Sequence, residues 1–365
     1  MQALSLAELE KEAIGSDLEA DLALVRQLDE EGQGQAATDV LKRAAQRGNV
    51  TAKTMLALRM VSNPGYFIDE ASFYAVSAAS DGSAEACHLT AMLAGSGIGM
   101  PQDWSAALIY TQRAAELGFE LARKGLIAVA ADRDLAAQAA DSTDPTIWRA
   151  LRESIDLKQW LKPPRTRNFA MAPRIGVVEN FLPHPVCDWL IERSRSSLAL
   201  AQTFDRETGG LIYEAGRTNS AAYFNVHQFD LPLILARGRM AAVTGLPPVA
   251  MEAPAVLHYE VGQEFSPHHD YLDTNDPGYA QNVADSGQRV VTFLTYLNDD
   301  YEGAETDFPL ANTRYKGRKG DALFFWNVHP NGAPDERTLH AGLSPTGGEK
   351  FLLSQWIRGP RAVRA

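Results

Sequence analysis

His268-His269-Asp270, followed by His340 and then by Lys350 ten residues later, decides how this chain is read. On a strand the side chains alternate with a period of two, so His268 and Asp270 point to one face and His269 to the other. A second histidine brought alongside by the fold would place two imidazoles and one carboxylate around a single metal ion. Three protein ligands leave three of about six octahedral positions open for other molecules. An HxD triplet alone is common, whereas an HxD with a distant His and a Lys ten residues beyond it is far more specific.

The surroundings of that triplet read as strands. Ile175–Phe181 is a short strand and Pro185–Ser197 a helix with proline near its first turn. Apolar or alternating runs follow at Ala255–Val261, Val290–Leu297, Ala322–Trp326 and Phe351–Ile357, separated by turn signals such as Asp276-Pro277-Gly278 and Lys319-Gly320-Asp321. Many short strands with two supporting helices predict a double-stranded β-helix, or jelly roll. Two imidazoles and one carboxylate are the ligand set of non-haem Fe(II) oxygenases. Three ligands also suit zinc, so residue types alone leave both metals open. On the last strand Lys350 shares parity with Leu352, Ser354 and Trp356, and an ammonium buried there needs an anionic partner, such as an acidic co-substrate. His258 and His329 are weaker ligand candidates. His258 has no HxD partner, and His329 falls in the turn-rich Val328–Asp335 segment, where a solvent-facing role is expected.

The first half has another character. Residues 5 to 140 are rich in Ala, Leu, Glu and Arg, and one phrase recurs as Ala44-Ala45-Gln46-Arg47-Gly48, Ala78-Ala79-Ser80-Asp81-Gly82 and Ala114-Ala115-Glu116-Leu117-Gly118. The glycines lie 34 and 36 residues apart. That period, with Ala pairs permitting close helix contact and Gly ending each helix, indicates stacked helical hairpins. Gly95-Ser96-Gly97-Ile98-Gly99 sits between two helical patterns without a preceding strand, so it reads as an inter-helix turn rather than a nucleotide loop. These units resemble Sel1-like repeats, relatives of the tetratricopeptide family. The third matches best, and Pro64-Gly65-Tyr66 stands where the second should carry its glycines. The resemblance implies a surface on which a protein or peptide substrate docks; the plainer alternative is that the repeats only cap and stabilise the other domain. The expected organisation is multidomain α + β: an all-α helical-repeat domain over residues 1–145, a helix and Pro-rich linker over 146–174, and an oxygenase domain over 175–365.

Composition narrows the function classes. The net charge of −12 argues against a general nucleic-acid binder, whose phosphate contacts need a basic face. Cys87 and Cys187 are too few for a disulfide framework or a CxxC zinc pattern. The acidic start of the chain reads as a helix rather than a signal peptide, and no apolar run is long enough to span a membrane. A cytoplasmic protein is expected.

From Ile175 to Pro360 the chain resembles the prolyl 4-hydroxylase-like branch of the Fe(II)/2-oxoglutarate-dependent oxygenases. The matching phrases, in order, are Glu179-Asn180-Phe181-Leu182, Arg217-Thr218, Tyr259-Glu260-Val261-Gly262-Gln263 leading into His268-His269-Asp270, Gly303-Ala304-Glu305-Thr306, Gly320–Asn327, Leu339-His340-Ala341-Gly342, Lys350 and Trp356-Ile357. Ala304 replaces the second glycine of the usual GGET phrase, and Arg217–Ala222 matches its counterpart only in part. The resemblance implies an Fe(II)- and 2-oxoglutarate-dependent dioxygenase that uses O2, with ascorbate as an accessory, and releases succinate and CO2. It assigns His268, Asp270 and His340 to the iron, Lys350 to the far carboxylate of 2-oxoglutarate, and Tyr259, Thr306 and Trp356 to the co-substrate's surroundings. Arg217 and Trp326 are expected at the substrate entrance, and the loops 273–288 and 331–338 as candidate lids. A peptidyl substrate, proline, is expected because a docking module precedes the catalytic domain. The alternatives are a free amino acid or other small molecule and, in another class, an interaction scaffold or oxygen sensor.

Overall fold

The computed structural model describes residues 18–63, 68–204 and 211–360. The helical reading of the first 17 residues and the Pro64-Gly65-Tyr66 turn therefore lie outside the described residues. The chain divides into two compact units, Met1–Asp156 with Val226–Ile234, and Leu157–Asn225 with Leu235–Ala365.

The first unit is helical throughout its described part, with helices at Leu18–Glu30, Gly34–Gln46, Val50–Ser62, Ile68–Ser80, Ala84–Ser96, Trp104–Glu116, Glu120–Val129, Arg133–Ala140 and Thr146–Ser154. The recurring Ala-Ala-x-x-Gly phrase has a single local cause. Gly48, Gly82 and Gly118 adopt φ of 88°, 94° and 92°, the left-handed conformation that only glycine enters cheaply. Each lets the next residue reach back five positions: Asn49 N–H to the Ala44 carbonyl, Ser83 to Ala78 and Phe119 to Ala114. This is the six-to-one bond of a Schellman cap. Asn49 and Ser83 then serve as N-caps of the next helix, accepting from Ala52 and Ala86 N–H. Ala44, Ala78 and Ala114 are fully buried, so the small side chains sit where neighbouring helices meet. Among the described residues no helix is long and apolar enough to cross a membrane.

The second unit is built on antiparallel strands. In chain order these are β1 (Arg167–Ala170), β2 (Ile175–Val178), β3 (Ala199–Leu200), β4 (Thr203–Phe204), β5 (Leu211–Ile212) and β6 (Ser220–Tyr223). After them come β7 (Ala255–Tyr259), β8 (Phe265–His268), β9 (Arg289–Tyr296), β10 (Glu302–Gly303) and β11 (Thr306–Phe308). The last are β12 (Thr313–Tyr315), β13 (Ala322–Trp326), β14 (His340–Gly342), β15 (Pro345–Gly347) and β16 (Lys350–Arg358). One sheet has the order β1-β2-β13-β9-β16-β7-β6-β3 and a second has β12-β11-β14-β8, with two short ribbons, β10-β15 and β4-β5. Side chains from both sheets form one core. Phe308 meets Phe325 edge-on at 5.1 Å and Tyr296 meets Tyr315 at 5.6 Å. Two facing antiparallel sheets around a shared core are the jelly-roll arrangement.

The stretch 146–174, read above as a helix and linker, carries more structure than its prolines imply. Trp148 and Leu151 are buried on the helix Thr146–Ser154, with the Arg123 guanidinium over the Trp148 ring at 5.2 Å. A short second helix follows at Leu157–Leu161, and β1 then pairs with β2.

Candidate active site

His268 ends β8, His340 opens β14, and the two are direct cross-strand partners. Residues opposed in antiparallel strands hold their side chains closest together, and here the ring centroids are 4.3 Å apart. Asp270 follows two positions beyond His268 and keeps its side. One ligand atom from each of the three lies within 4.8 Å of the others. Asp270 Oδ1 is 3.6 Å from His268 Nε2 and Oδ2 is 3.4 Å from His340 Nε2.

Backbone carbonyls orient both rings. Nδ1 of His268 is 2.8 Å from the Ser266 carbonyl, and Nδ1 of His340 is 3.0 Å from the Thr338 carbonyl. A carbonyl only accepts, so each Nδ1 holds the proton and each Nε2 presents a lone pair toward the carboxylate. Burial drives the His268 pKa down to about 3, and His340 beside it pushes the same way. Burial works to raise the Asp270 pKa, yet His340, His268, the Thr292 hydroxyl and Arg289 together hold it below the ordinary carboxylate value. A neutral imidazole and an ionised carboxylate are the protonation states a metal ligand needs. Two nitrogen lone pairs aimed at a carboxylate oppose one another unless a cation stands among them. The donor set therefore fits a divalent metal.

Lys350 opens β16 opposite Tyr259 on β7 and is 1% exposed. Its Nζ donates to the Ala304 carbonyl at 2.7 Å, and the rings of Tyr259 and Tyr296 lie 5.3 and 5.4 Å away. Burial lowers its pKa to about 7, opposed by Glu305 and reinforced by Lys316. No ion pair to it forms among the described residues. A buried ammonium with one carbonyl partner is costly until an anion arrives. Lys350, Tyr259, Thr306, Trp356 and Arg217 line one cavity together with the His-Asp-His cluster. Burial raises the Tyr259 pKa, which keeps the phenol protonated. Gly342 permits its approach, since a Cβ there would lie 3.0 Å from the phenol oxygen. The Thr306 hydroxyl bonds Tyr296 Oη at 2.8 Å. Arg217 is buried over the Phe265 ring at 4.5 Å and donates to the Gln202 carbonyl at 2.9 Å.

Trp326 is not part of that cavity wall, which corrects the expectation above. It shares parity with Phe324 on β13, whereas Leu323 and Phe325 face the core, and its ring packs beneath the Arg174 guanidinium at 4.6 Å. Three other histidines lie against groups outside the cluster. His258 contacts Glu349 Oε2 at 2.8 Å, His269 the Glu336 carbonyl at 2.9 Å, and His329 lies 3.8 Å from Asp335. The loop 273–288 contains a helix, Pro277–Ser286, N-capped by Asp276. The segment 331–338 ends in a single turn, Glu336–Thr338, and its Thr338 carbonyl orients His340.

Three site residues went unread in the sequence. Phe265 stacks on His268 at 3.5 Å, Thr292 donates to Asp270 Oδ2 at 2.6 Å, and Asn327 bonds Thr292 at 3.0 Å. Phe265 shares strand parity with neither metal ligand and gave no signal. Thr292 gave none either, since a threonine in the run Val290–Leu297 is an ordinary β-branched strand residue.

Comparison with known proteins meets this geometry. The pattern of the 2OG-Fe(II) oxygenase superfamily matches residues 254–358, which contain His268, Asp270, His340 and Lys350. The chain is 32% identical over 221 residues to probable prolyl 4-hydroxylase 7 of Arabidopsis thaliana, covering 56% of this chain and 68% of that protein. It is 35% identical over 202 residues to prolyl 4-hydroxylase 1 of the same plant, covering 51% and 69%. Among solved structures it is similar to the viral collagen prolyl hydroxylase of Paramecium bursaria Chlorella virus-1 in its 2OG complex, at 26% identity, 51% and 96% coverage and a TM-score of 0.40. With a His-Asp-His cluster and a buried lysine in one cavity, this chain belongs to the prolyl 4-hydroxylase family of Fe(II)- and 2-oxoglutarate-dependent dioxygenases.

Proposed function

We propose that this dioxygenase hydroxylates proline in a polypeptide, with His268, Asp270 and His340 holding Fe(II) and Lys350 receiving the far carboxylate of 2-oxoglutarate. The observation that carries the reading is the shared cavity, in which a lone-pair-lined cluster and an uncompensated ammonium face the same space. Fe(II) bound there, with 2-oxoglutarate and O2, supplies the oxidising power that inserts one oxygen atom into a C–H bond while succinate and CO2 leave. The protein's own part is placement. Ser266 and Thr338 fix the imidazole tautomers, Thr292 fixes the carboxylate, and Lys350 with Tyr259 and Thr306 sets the depth of the co-substrate. Buried walls exclude water, and orientation selects the C–H bond that reacts.

The prolyl 4-hydroxylase names of the relatives support proline as the target. The Sel1-like reading of the first unit is supported by three identical helix endings at 34- and 36-residue spacing. We extend it to a docking surface for the polypeptide substrate. Ascorbate as a reductant of the metal and a cytoplasmic setting, in which the buried Cys87 and Cys187 stay as thiols, complete the proposal. Mass spectrometry of proline-containing peptides should find one added oxygen that depends on 2-oxoglutarate. Oxidation of free proline with no peptide modified would overturn the peptidyl reading, and absence of succinate release with every substrate would favour a scaffold or sensor.

A further inference from the structure

Two hydrogen bonds behind Asp270 carry a direction. Thr292 Oγ1 lies 2.6 Å from Asp270 Oδ2, and Asn327 Nδ2 lies 3.0 Å from the same hydroxyl. An amide nitrogen only donates. Thr292 therefore accepts from Asn327, and its single proton is committed to Asp270. The three residues are 1%, 0% and 4% exposed, so no bulk water competes for these bonds.

Asn327 is itself held on both sides. Its N–H donates to the Val290 carbonyl at 2.9 Å, and its carbonyl accepts from Asp335 N–H at 3.0 Å. The Asp335 carbonyl in turn accepts from Thr338 N–H at 3.0 Å and from Thr338 Oγ1 at 2.7 Å. The Thr338 carbonyl is the acceptor that sets the His340 ring. One residue thus connects to both Asp270 and His340, through its side chain and its backbone respectively.

We infer that the Asn327–Thr292 relay is the positioning device of the metal centre. It rests on the metal-site reading above. By occupying Oδ2 the relay fixes the carboxylate plane and leaves Oδ1, which accepts no hydrogen bond among the described residues, as the donor atom with uncommitted lone pairs. Asn327 decides which way the Thr292 proton points, and so acts on the metal through two other residues. Neither residue is a ligand. Each is a positioning residue whose loss should alter metal affinity even before any turnover is measured.

The test is Co(II) titration of the full chain, followed by calorimetry and by the visible absorption of the bound ion. Thr292→Val keeps the shape and removes the proton. It should weaken Co(II) binding about ten- to hundredfold, the range for losing an outer-shell partner of a metal ligand, and shift the absorption band. Thr292→Ser should restore most of the affinity and the native spectrum. Asn327→Leu, with Thr292 intact, should weaken binding less than Thr292→Val. If the native chain takes up no Co(II), the metal-site reading fails. If the native chain binds and Thr292→Val matches it in affinity and spectrum, the relay alone is overturned. Equal losses in Thr292→Val and Thr292→Ser also overturn it, because volume rather than the proton then matters. Should Thr292→Val fail to fold, Asn327→Leu decides, and unchanged Co(II) affinity there sinks the relay.

Discussion

In the helical unit each recurring feature is closed within a few residues, as when Asn49 reaches back to Ala44 around Gly48. In the sheet unit the contacts that make the site span 22 positions from Thr292 to Asp270, 35 from Asn327 to Thr292 and 46 from Lys350 to Ala304. The first unit therefore repeats a stable local motif with tolerance for variation. The second concentrates its chemistry in a few long-range pairings, each of which is hard to replace. Damage of similar size in stability should have unequal consequences for function in the two units.

The largest effect expected from this contrast is at the cross-strand histidine. His340→Ala removes one of three ligands and should abolish 2-oxoglutarate-dependent succinate release and Co(II) uptake. The metal-free chain should still melt cooperatively, since losing the ring leaves a gap beside Phe308 and Phe325 but removes no backbone strand pairing. Retained Co(II) binding at native affinity in this variant would break the site as described.

Lys350→Met comes next and should act with opposite signs on binding and stability. Losing a hydrogen bond to a charged group costs about 1.5–3 kcal/mol, or about 10- to 100-fold in affinity for 2-oxoglutarate. Stability without co-substrate should rise, because an ammonium with one carbonyl partner leaves the interior. The pH dependence follows from a folded pKa of about 7 against the ordinary 10.5. Between those values the unfolded chain binds a proton at this position that the folded chain lacks, so the native protein gains stability as pH rises through that window. The melting advantage of Lys350→Met should thus be largest near pH 6 and shrink toward pH 9. An advantage that grows with pH would contradict the buried cation.

How much of this was legible follows the same contrast. The helix endings could be read because Ala-Ala-x-x-Gly is local chemistry. The strands, His268, Asp270, His340 and Lys350 could be read because residue type and spacing suffice. Thr292 and Asn327 could not, because a threonine in Arg289–Tyr296 looks like any β-branched strand residue until pairing sets it beside Asp270. Trp326 was misplaced because β13 reads Ala-Leu-Phe-Phe-Trp, apolar on both faces, and such a run carries no alternation to tell inside from outside. The helix at Pro277–Ser286 did announce itself, with Asp276 as N-cap and proline in the first turn; the adjoining glycine made it read as a loop.

A smaller effect belongs to the helical unit. At Gly82 nothing lies within 4 Å of an added Cβ, and φ is +94°, so Gly82→Ala pays only for the left-handed backbone, about 1–2 kcal/mol. Melting should fall by about 2–4 °C for each kcal/mol, with Co(II) affinity unchanged. A loss of metal binding in this variant would erase the distinction between the two units.

The smallest effect is expected where the sequence departs from its family's Gly-Gly phrase. Ala304 holds φ +57°, a conformation costing a non-glycine residue about 1–2 kcal/mol, while its carbonyl receives the Lys350 ammonium. Ala304→Gly relieves that strain. It also gives the unfolded chain more freedom, about 0.4–1 kcal/mol, and removes a fully buried methyl worth about 0.8 kcal/mol. These terms nearly cancel, so melting should move by no more than about 2 °C and 2-oxoglutarate affinity should stay native. A marked gain in stability with weakened co-substrate binding would mean that the strained alanine, rather than the sheet register of Lys350 against Tyr259, fixes where the ammonium sits.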